Sequence, residues 1–246
     1  MKKEKLIKKI NPLFLKGIAH RGLHTEEFTE NGMKAFENAI KNNVAFEYDI
    51  HLTKDNELVV CHDSELFRTT GKKGIIEDLT LKEIKDNYRL HDGGEIPTFK
   101  ELIEFNNDRV PMVIELKVYN NNYKKLANKF MKTMNSYAHK ENCFIISFDP
   151  RALIRIKRGK FIRGLLIGMG QKWVYHFRFF FESLDLEDKM CFMRKVQKYQ
   201  KKHFVNAWTI NNKEQFDNVY PFVDTITFQN MDVDYVKKAL TEKNFK

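Results

Sequence analysis

Short apolar runs alternate with longer stretches of helical period along this whole chain, and that alternation limits the folds open to it. The runs 17–21 (GIAHR), 44–52 (VAFEYDIHL), 57–62 (ELVVCH), 110–116 (VPMVIEL), 143–148 (CFIISF), 161–168 (FIRGLLIG), 182–186 (ESLDL), 204–210 (FVNAWTI) and 223–228 (VDTITF) read as strands. Helical spacing fills 31–43, 80–88, 98–108, 122–140, 150–159, 186–203, 212–220 and 232–242. Thr80 with Glu83 and Thr98 with Glu101 have capping-box spacing, and Asn31 can cap the first of these helices. Strands joined through helices run parallel, with right-handed crossovers. The stretch 57–62 and the region 64–97 exceed a minimal unit and form an excursion after the second strand. Eight β/α units then remain in 246 residues, the arithmetic of a TIM (β/α)8 barrel. No Pro/Gly/Ser-rich linker divides the units, so 1–246 is expected to form a single domain.

Composition removes several classes of function. Mean hydropathy is −0.53, and no run of 18 or more uncharged apolar residues offers a transmembrane helix. The basic start MKKEKLIKK leads into an apolar part too short and interrupted for a signal peptide, so a cytoplasmic protein is expected. Cys61, Cys143 and Cys191 are odd in number and far apart, with neither zinc spacing nor a disulfide framework; they read as buried thiols. The net charge of +10 suits nucleic acid, an anionic membrane or a phosphate-bearing substrate. Lysines are spread along the chain, however, and the clusters KKEKLIKK and KYQKKH read as solvated helix faces.

In an eight-fold barrel the C-terminal ends of the strands build the active site. Here those ends are polar: His20-Arg21 on the first, Glu47, Asp49 and His51 on the second, His62-Asp63 after the next run, Glu115 and Lys117 on the following one, and Trp208-Thr209 on the seventh. Residues two apart on a strand share a face, about 6.6 Å apart along the chain. Glu47 therefore stands beside Asp49, and Glu115 beside Lys117. Carboxylates converging in a dry pocket either take up protons or hold a cation, and oxygen ligands alone favour Mg²⁺ or Ca²⁺ over zinc. His20 and His62 form an acid/base pair candidate at such a site, since imidazole titrates near neutrality. Arg21 and Lys117 add positive charge suited to the oxygens of a phosphodiester.

Taken in order, His20-Arg21-Gly22, Thr29-Glu30-Asn31, Glu47-Tyr48-Asp49, Thr53-Lys54-Asp55-Asn56, His62-Asp63, Ile96-Pro97-Thr98, Glu115-Leu116-Lys117 and Trp208-Thr209-Ile210-Asn211 resemble the glycerophosphodiester phosphodiesterase family over residues 17–228. The resemblance implies a TIM barrel with a small insertion at roughly 63–97. It implies hydrolysis of a glycerophosphodiester to glycerol 3-phosphate and an alcohol, aided by one divalent cation, Mg²⁺ or Ca²⁺. By position, His20 and His62 match the catalytic histidines, and Glu47, Asp49 and Glu115 the metal ligands. Arg21 matches a phosphate contact, Lys117 a site lysine, and Trp208 an aromatic near the glycerol pocket. The mechanism this suggests is attack by the glycerol 2-hydroxyl, with one histidine as base and the other protonating the leaving alcohol. The cyclic phosphate formed is then opened by water.

Three departures from the family pattern stand out. Thr29 and Gly32 flank Glu30-Asn31 where Pro and a hydroxyl residue are usual, and Thr227-Phe228 stands where a Thr-Asp pair is usual. The stretch 172–181 (KWVYHFRFFF) is unusually aromatic and basic. It reads as a buried connection, a lid over the mouth or a weak membrane-surface contact, and in the last case favours lipid-like diesters. Two alternatives accompany the main reading. One is a lysophospholipid-cleaving enzyme of phospholipase D type with the same machinery. The other is a basic anion- or membrane-binding barrel without catalysis. The expected partner is a small-molecule diester and not nucleic acid.

Overall fold

The computed structural model describes residues 3–157 and 159–244. Eight parallel strands close into a barrel: β1 (Ile18–Ala19), β2 (Ala45–Leu52), β4 (Met112–Leu116), β5 (Cys143–Ser147), β6 (Ile162–Ile167), β7 (Ser183–Glu187), β8 (Phe204–Ile210) and β9 (Thr225–Phe228). β1 closes the ring, pairing with β2 through Ile18↔Ala45 and with β9 through Ile18↔Thr227. β3 (Leu58–Val60) lies outside it, antiparallel to β2. The helices are α1 (Lys3–Ile7), α2 (Met33–Lys41), α3 (Phe67–Thr70), α4 (Leu81–Asn87), α5 (Phe99–Asn106), α6 (Tyr123–Thr133), α7 (Pro150–Arg155), α8 (Arg194–Gln200), α9 (Lys213–Val219) and α10 (Val233–Asn244). This is the expected TIM barrel.

Strand faces divide the chain into an inner and an outer core. All eight residues of β2 are buried, because a parallel strand in a barrel is covered on both sides. Phe46, Tyr48 and Ile50 pack outward in the main core, while Ala45 turns inward. The floor of the barrel interior is apolar. There Leu6 of α1, with Ile10, Phe14 and Leu15 from the turn behind it, meets Ile18, Val113, Phe144, Ile162 and Phe204. Phe14 and Phe144 pack with ring centroids 4.3 Å apart and the ring planes tilted by 35°. The basic N-terminus is therefore not simply a solvated face: Leu6 plugs the barrel, and Lys3 pairs with the buried carboxylate of Asp224.

The excursion after β2 includes β3, in the stretch 57–62 expected to belong to it. It carries its own small core of Val59, Cys61, Leu66, Ile76, Ile84, Tyr88, Leu90 and Ile96. Both capping boxes form, at Thr80–Glu83 and Thr98–Glu101. Asn31 does not cap α2: Gly32 occupies that position without a side-chain bond, and the Asn31 amide is used elsewhere. Three expected helices are shorter, the stretch 150–159 being helical only to Arg155. The stretch 122–140 is helical only to Thr133, before Asn135 and Ser136, residues whose side chains compete for backbone hydrogen bonds. The stretch 186–203 divides into a 3₁₀ segment, Asp188–Phe192, and α8, with consecutive Met190 and Cys191 both turned into the core. Between β6 and β7 the segment Met169–Phe180 forms 3₁₀ turns broken by a kink at Gln171. The three cysteines are free and buried. Among the described residues no helix is long and apolar enough to cross a membrane.

Candidate active site

β2 and β4 pair in register with Asp49 opposite Glu115, and Glu47 lies two residues earlier on the inner face. These three carboxylates are buried, and each offers an oxygen within 4.8 Å of the others. Burial raises Glu47 well above the usual carboxylate range, with the Asp49 and Glu115 charges adding to it. Burial also raises Glu115, to about 7, against the pull of Lys117. Asp49 goes the other way: burial would raise it, but Lys117, His62 and Arg21 and the Asn31 amide hold it low. The Lys117 ammonium stands 3.1 Å from Glu115 and 3.5 Å from Asp49. Asp49 Oδ1 is buried without a hydrogen-bond partner. A buried carboxylate oxygen with no hydrogen bond, facing the Lys117 ammonium at 3.5 Å within an all-oxygen cluster, is what a hard divalent cation would satisfy. The residues therefore fit a metal ion.

The turn after β1 places His20 and Arg21. Arg21 takes φ +54°, and Gly22 follows at φ +79°. A side chain on Gly22 would approach Ala35 of α2 to 3.0 Å, so this turn needs glycine. The Arg21 backbone N–H donates to Glu47 Oε2 at 3.0 Å, tying the turn to the acid cluster. His20 Nδ1 donates to Gln229 Oε1 at 2.6 Å. The proton then sits on Nδ1 and Nε2 keeps its lone pair. Burial, helped by the Arg21 charge, lowers His20 to about 4. Neutral His20 is thus set up as a base. His62 Nδ1 lies 2.6 Å from Asp63 Oδ1, and the carboxylate can support an imidazolium there. Burial lowers His62 too, with Asp49 opposing it and Lys117 and Arg21 reinforcing it. An arriving phosphodiester anion would favour its charged form.

Around these groups lies a net of charge pairs. Arg21 Nη1 donates to Glu30 at 2.8 Å, and Arg68 joins Glu30 at 2.7 Å to Asp63 at 2.5 Å. Asn31 Nδ2 donates to Asp49 Oδ2 at 3.0 Å. His51 bridges Glu77, at 2.7 Å, and the His62 carbonyl, at 3.0 Å. Arg68 and Glu77 both come from the excursion, which therefore braces His62 from outside the barrel.

The other half of the mouth is built around aromatic residues, with Asn206 and Thr209 among its polar groups. Trp208 meets Phe148 edge to face at 5.5 Å. A cavity of ≈ 90 Å³ descends between His20, Arg21, Glu47, His62, Glu115 and Trp208. It shares His62, Glu115 and Phe148 with a groove of ≈ 1020 Å³ that runs outward past Lys117, Ile154, Trp173 and Phe177. All eight residues singled out in the sequence line one or both cavities or, for Asp49, lie against Lys117 and Arg21. Thr227 points inward and accepts from Asn206 at 2.9 Å, while Phe228 joins the outer core. The stretch 172–181 is neither simply buried nor closed across the mouth. Val174 and Tyr175 are buried, Trp173 and Phe177 wall the groove, and Phe179 and Phe180 are exposed.

Sequence reasoning did not single out Gln229, Arg68 or Glu77. Gln229 lies just past the last strand, and only the fold brings it to His20, 209 residues away in sequence. Glu30 and Asn31 were visible as part of a motif, but their partners were not.

The sequence profile of the glycerophosphoryl diester phosphodiesterase family matches residues 20–236. A glycerophosphodiester phosphodiesterase of Caldanaerobacter subterraneus is 31% identical, covering 82% of this chain and 88% of that protein. A human lysophospholipase D is 33% identical, over 61% of this chain and 54% of that protein. Among solved structures, a glycerophosphodiester phosphodiesterase of Thermotoga maritima is 25% identical with a TM-score of 0.72, covering 92% of this chain and 96% of that one. A phosphodiesterase of Oleispira antarctica, in complex with the product sn-glycerol-3-phosphate, is 22% identical with a TM-score of 0.76 over the same shares.

Proposed function

The chain belongs to the glycerophosphoryl diester phosphodiesterase family, and from that premise we propose that it hydrolyses glycerophosphodiesters to glycerol 3-phosphate and an alcohol. The observation that carries this reading is the convergence of three buried carboxylates beneath two histidines whose Nδ1 atoms face different acceptors, a neutral amide oxygen for His20 and a carboxylate for His62. Glu47, Asp49 and Glu115 would hold one divalent cation, Mg²⁺ or Ca²⁺. When bound, that ion stabilises charge building on the phosphoryl oxygens. Arg21 lines the inner cavity and Lys117 the groove beside it, and both would orient the anionic oxygens. His20 Nε2 takes the proton of the glycerol 2-hydroxyl, whose oxygen then forms a bond to phosphorus. His62, protonated and backed by Asp63, donates its proton to the departing alcohol oxygen as the phosphorus–oxygen bond breaks. Water opens the cyclic phosphate with the histidine roles reversed, which restores both protonation states. Trp208 would pack against the glycerol moiety. The same reading takes residues 1–246 as one catalytic domain working in the cytoplasm, with a membrane-surface contact through 172–181.

A second substrate reading, a lysophospholipid, is favoured by the apolar residues that wall the groove: Val118, Phe148, Ile154, Trp173, Val174 and Phe177. The deciding experiment follows glycerol 3-phosphate release from glycerophosphocholine. EDTA-stripped protein is compared with protein resupplied with Mg²⁺ or Ca²⁺, alongside His20→Ala. Metal-restored release that the variant lacks supports the soluble-diester reading. Release only from acylated substrates moves it to the lysophospholipid. No release from either overturns the proposal.

A further inference from the structure

Residues 150–181 contain eight Lys or Arg and no Asp or Glu. They form α7, β6 and the kinked 3₁₀ segment, so their outward faces make one flank of the barrel. On α7, Ala152 and Leu153 are buried, while Arg151, Ile154 and Arg155 share the exposed face. On the 3₁₀ segment, Val174 and Tyr175 are buried, while Lys172, Trp173, His176, Phe179 and Phe180 are exposed. Trp173, Phe177 and Phe180 follow one another at ring separations of 6.1 and 6.5 Å, a stripe down the flank. Trp173 and Phe180 are each 62% exposed, and Ile154 is 57% exposed. Large apolar side chains at that exposure, set among cations, are the pattern of a surface that meets a lipid interface. Acids do approach the flank: Asp149 pairs with Arg151, and Glu65 lies on the far wall of the groove. Neither belongs to the aromatic stripe.

Ile154, Trp173 and Phe177 belong both to this flank and to the groove that ends at Glu115, Lys117 and His62. The apolar surface is therefore continuous with the reaction cleft.

We propose that the flank formed by α7 and Met169–Phe180 docks on an anionic phospholipid bilayer, with Trp173 and Phe180 inserted and Arg155, Lys157 and Lys172 on the headgroups. The groove then opens toward the lipid, so a single-chain diester can slide from the bilayer to the carboxylate cluster. Charge complementarity selects the occupant: a neutral protein surface would leave these cations unanswered, whereas acidic headgroups attract each of them. The purpose of docking rests on the phosphodiesterase reading. The docking itself does not, and it is measured without turnover.

The test is sedimentation of the full chain with vesicles of phosphatidylcholine alone or rich in phosphatidylglycerol, in the absence of divalent metal. Binding to the anionic vesicles is expected to be tighter by about tenfold or more. Acyl chains carrying bromine should quench Trp173 fluorescence; the other tryptophan, Trp208, lies inside the mouth. Phe180→Ser combined with Lys172→Glu and Arg155→Glu should weaken vesicle binding at least about tenfold. None of these three residues lines the groove, so release from soluble glycerophosphocholine should persist in that variant. Equal binding to both vesicle types, vesicle binding without quenching, or a triple variant that binds like the parent would each overturn the proposal. A protein that docks as expected but releases no glycerol 3-phosphate would instead refute the catalytic reading alone.

Discussion

On the side of the mouth built from β1, β2 and β4, polar groups hold one another: Arg21 reaches Glu30, Arg68 joins Glu30 to Asp63, and Asn31 holds Asp49. On the side built from β5, β6 and β8, Phe148 lies against Trp208, and Trp208 Nε1 is buried without a hydrogen-bond partner. The first side fixes charged atoms to within hydrogen-bond tolerance. The second offers shape and little directionality. The comparison suggests that reaction chemistry and substrate choice are separated across the cleft, because preorganised charge stabilises a transition state whereas apolar contact binds ground and transition states alike.

The sharpest way to break this comparison is to remove one group from the polar side. His20→Ala should lower the rate of glycerol 3-phosphate release about 10²–10⁴-fold. Metal affinity by calorimetry should hardly change, since His20 is not among the clustered acids. Glu47→Gln should instead weaken metal binding strongly, by deleting a ligand charge beside Asp49; unchanged affinity would sink the assigned site.

Next in size is the bracing behind the histidines. Gln229→Leu removes the acceptor that keeps the His20 proton on Nδ1. A loss of about 10–100-fold in kcat is expected, by analogy with the supporting partners of metal ligands. The acid limb of the pH–rate profile should move with it. Gln229→Glu, which keeps an acceptor, should recover much of the rate; equal damage from both variants would indicate a structural role only.

Smaller still is the apolar side. Phe148→Ala should raise KM about tenfold and leave kcat within a fewfold, because packing contributes uniform binding. If kcat fell as far as in His20→Ala, the division of labour would be wrong.

The smallest effect expected is on stability. Glu115 titrates near 7 in the folded protein, and Glu47 is also raised by burial. Unfolded, both lose their protons near the ordinary 4.5, so the native state binds more protons from there up to about 7 on account of Glu115, and Glu47 acts in the same direction. Metal-free protein should therefore lose stability as pH rises from about 4.5 to about 7. Asp49 is depressed, and its contribution varies only below about pH 4, outside that window. A divalent cation replaces the protons, so its increase of Tm should grow over the same range. A metal-induced Tm shift independent of pH would contradict the raised carboxylates.

How much of this was legible in the linear chain differs between the two sides. Glu47 and Asp49 announce themselves by spacing, since two residues on one strand must share a face. Glu115 and Lys117 do so for the same reason. The histidines could be picked out by their place at strand ends. Asn31 was misread as a helix cap because its local sequence favours that role; the nearer demand of the buried Asp49 carboxylate won. The groove between α7 and the 3₁₀ segment had no signature beyond an aromatic run.

The sequence by itself determined the alternation of strands and helices, the side on which each strand carries its acids, and the inventory of groups able to move protons. These follow from local geometry, which repeats every two residues on a strand and every 3.6 on a helix. Tertiary structure alone decided that Gln229 sets the tautomer of His20, that Arg68 bridges Glu30 and Asp63, and that Trp173 joins the surface to the cleft. Those depend on closing the barrel, which brings β1 against β9 and residues 209 positions apart into contact. No local pattern encodes a contact whose two halves are set by strands that meet only when the ring is complete.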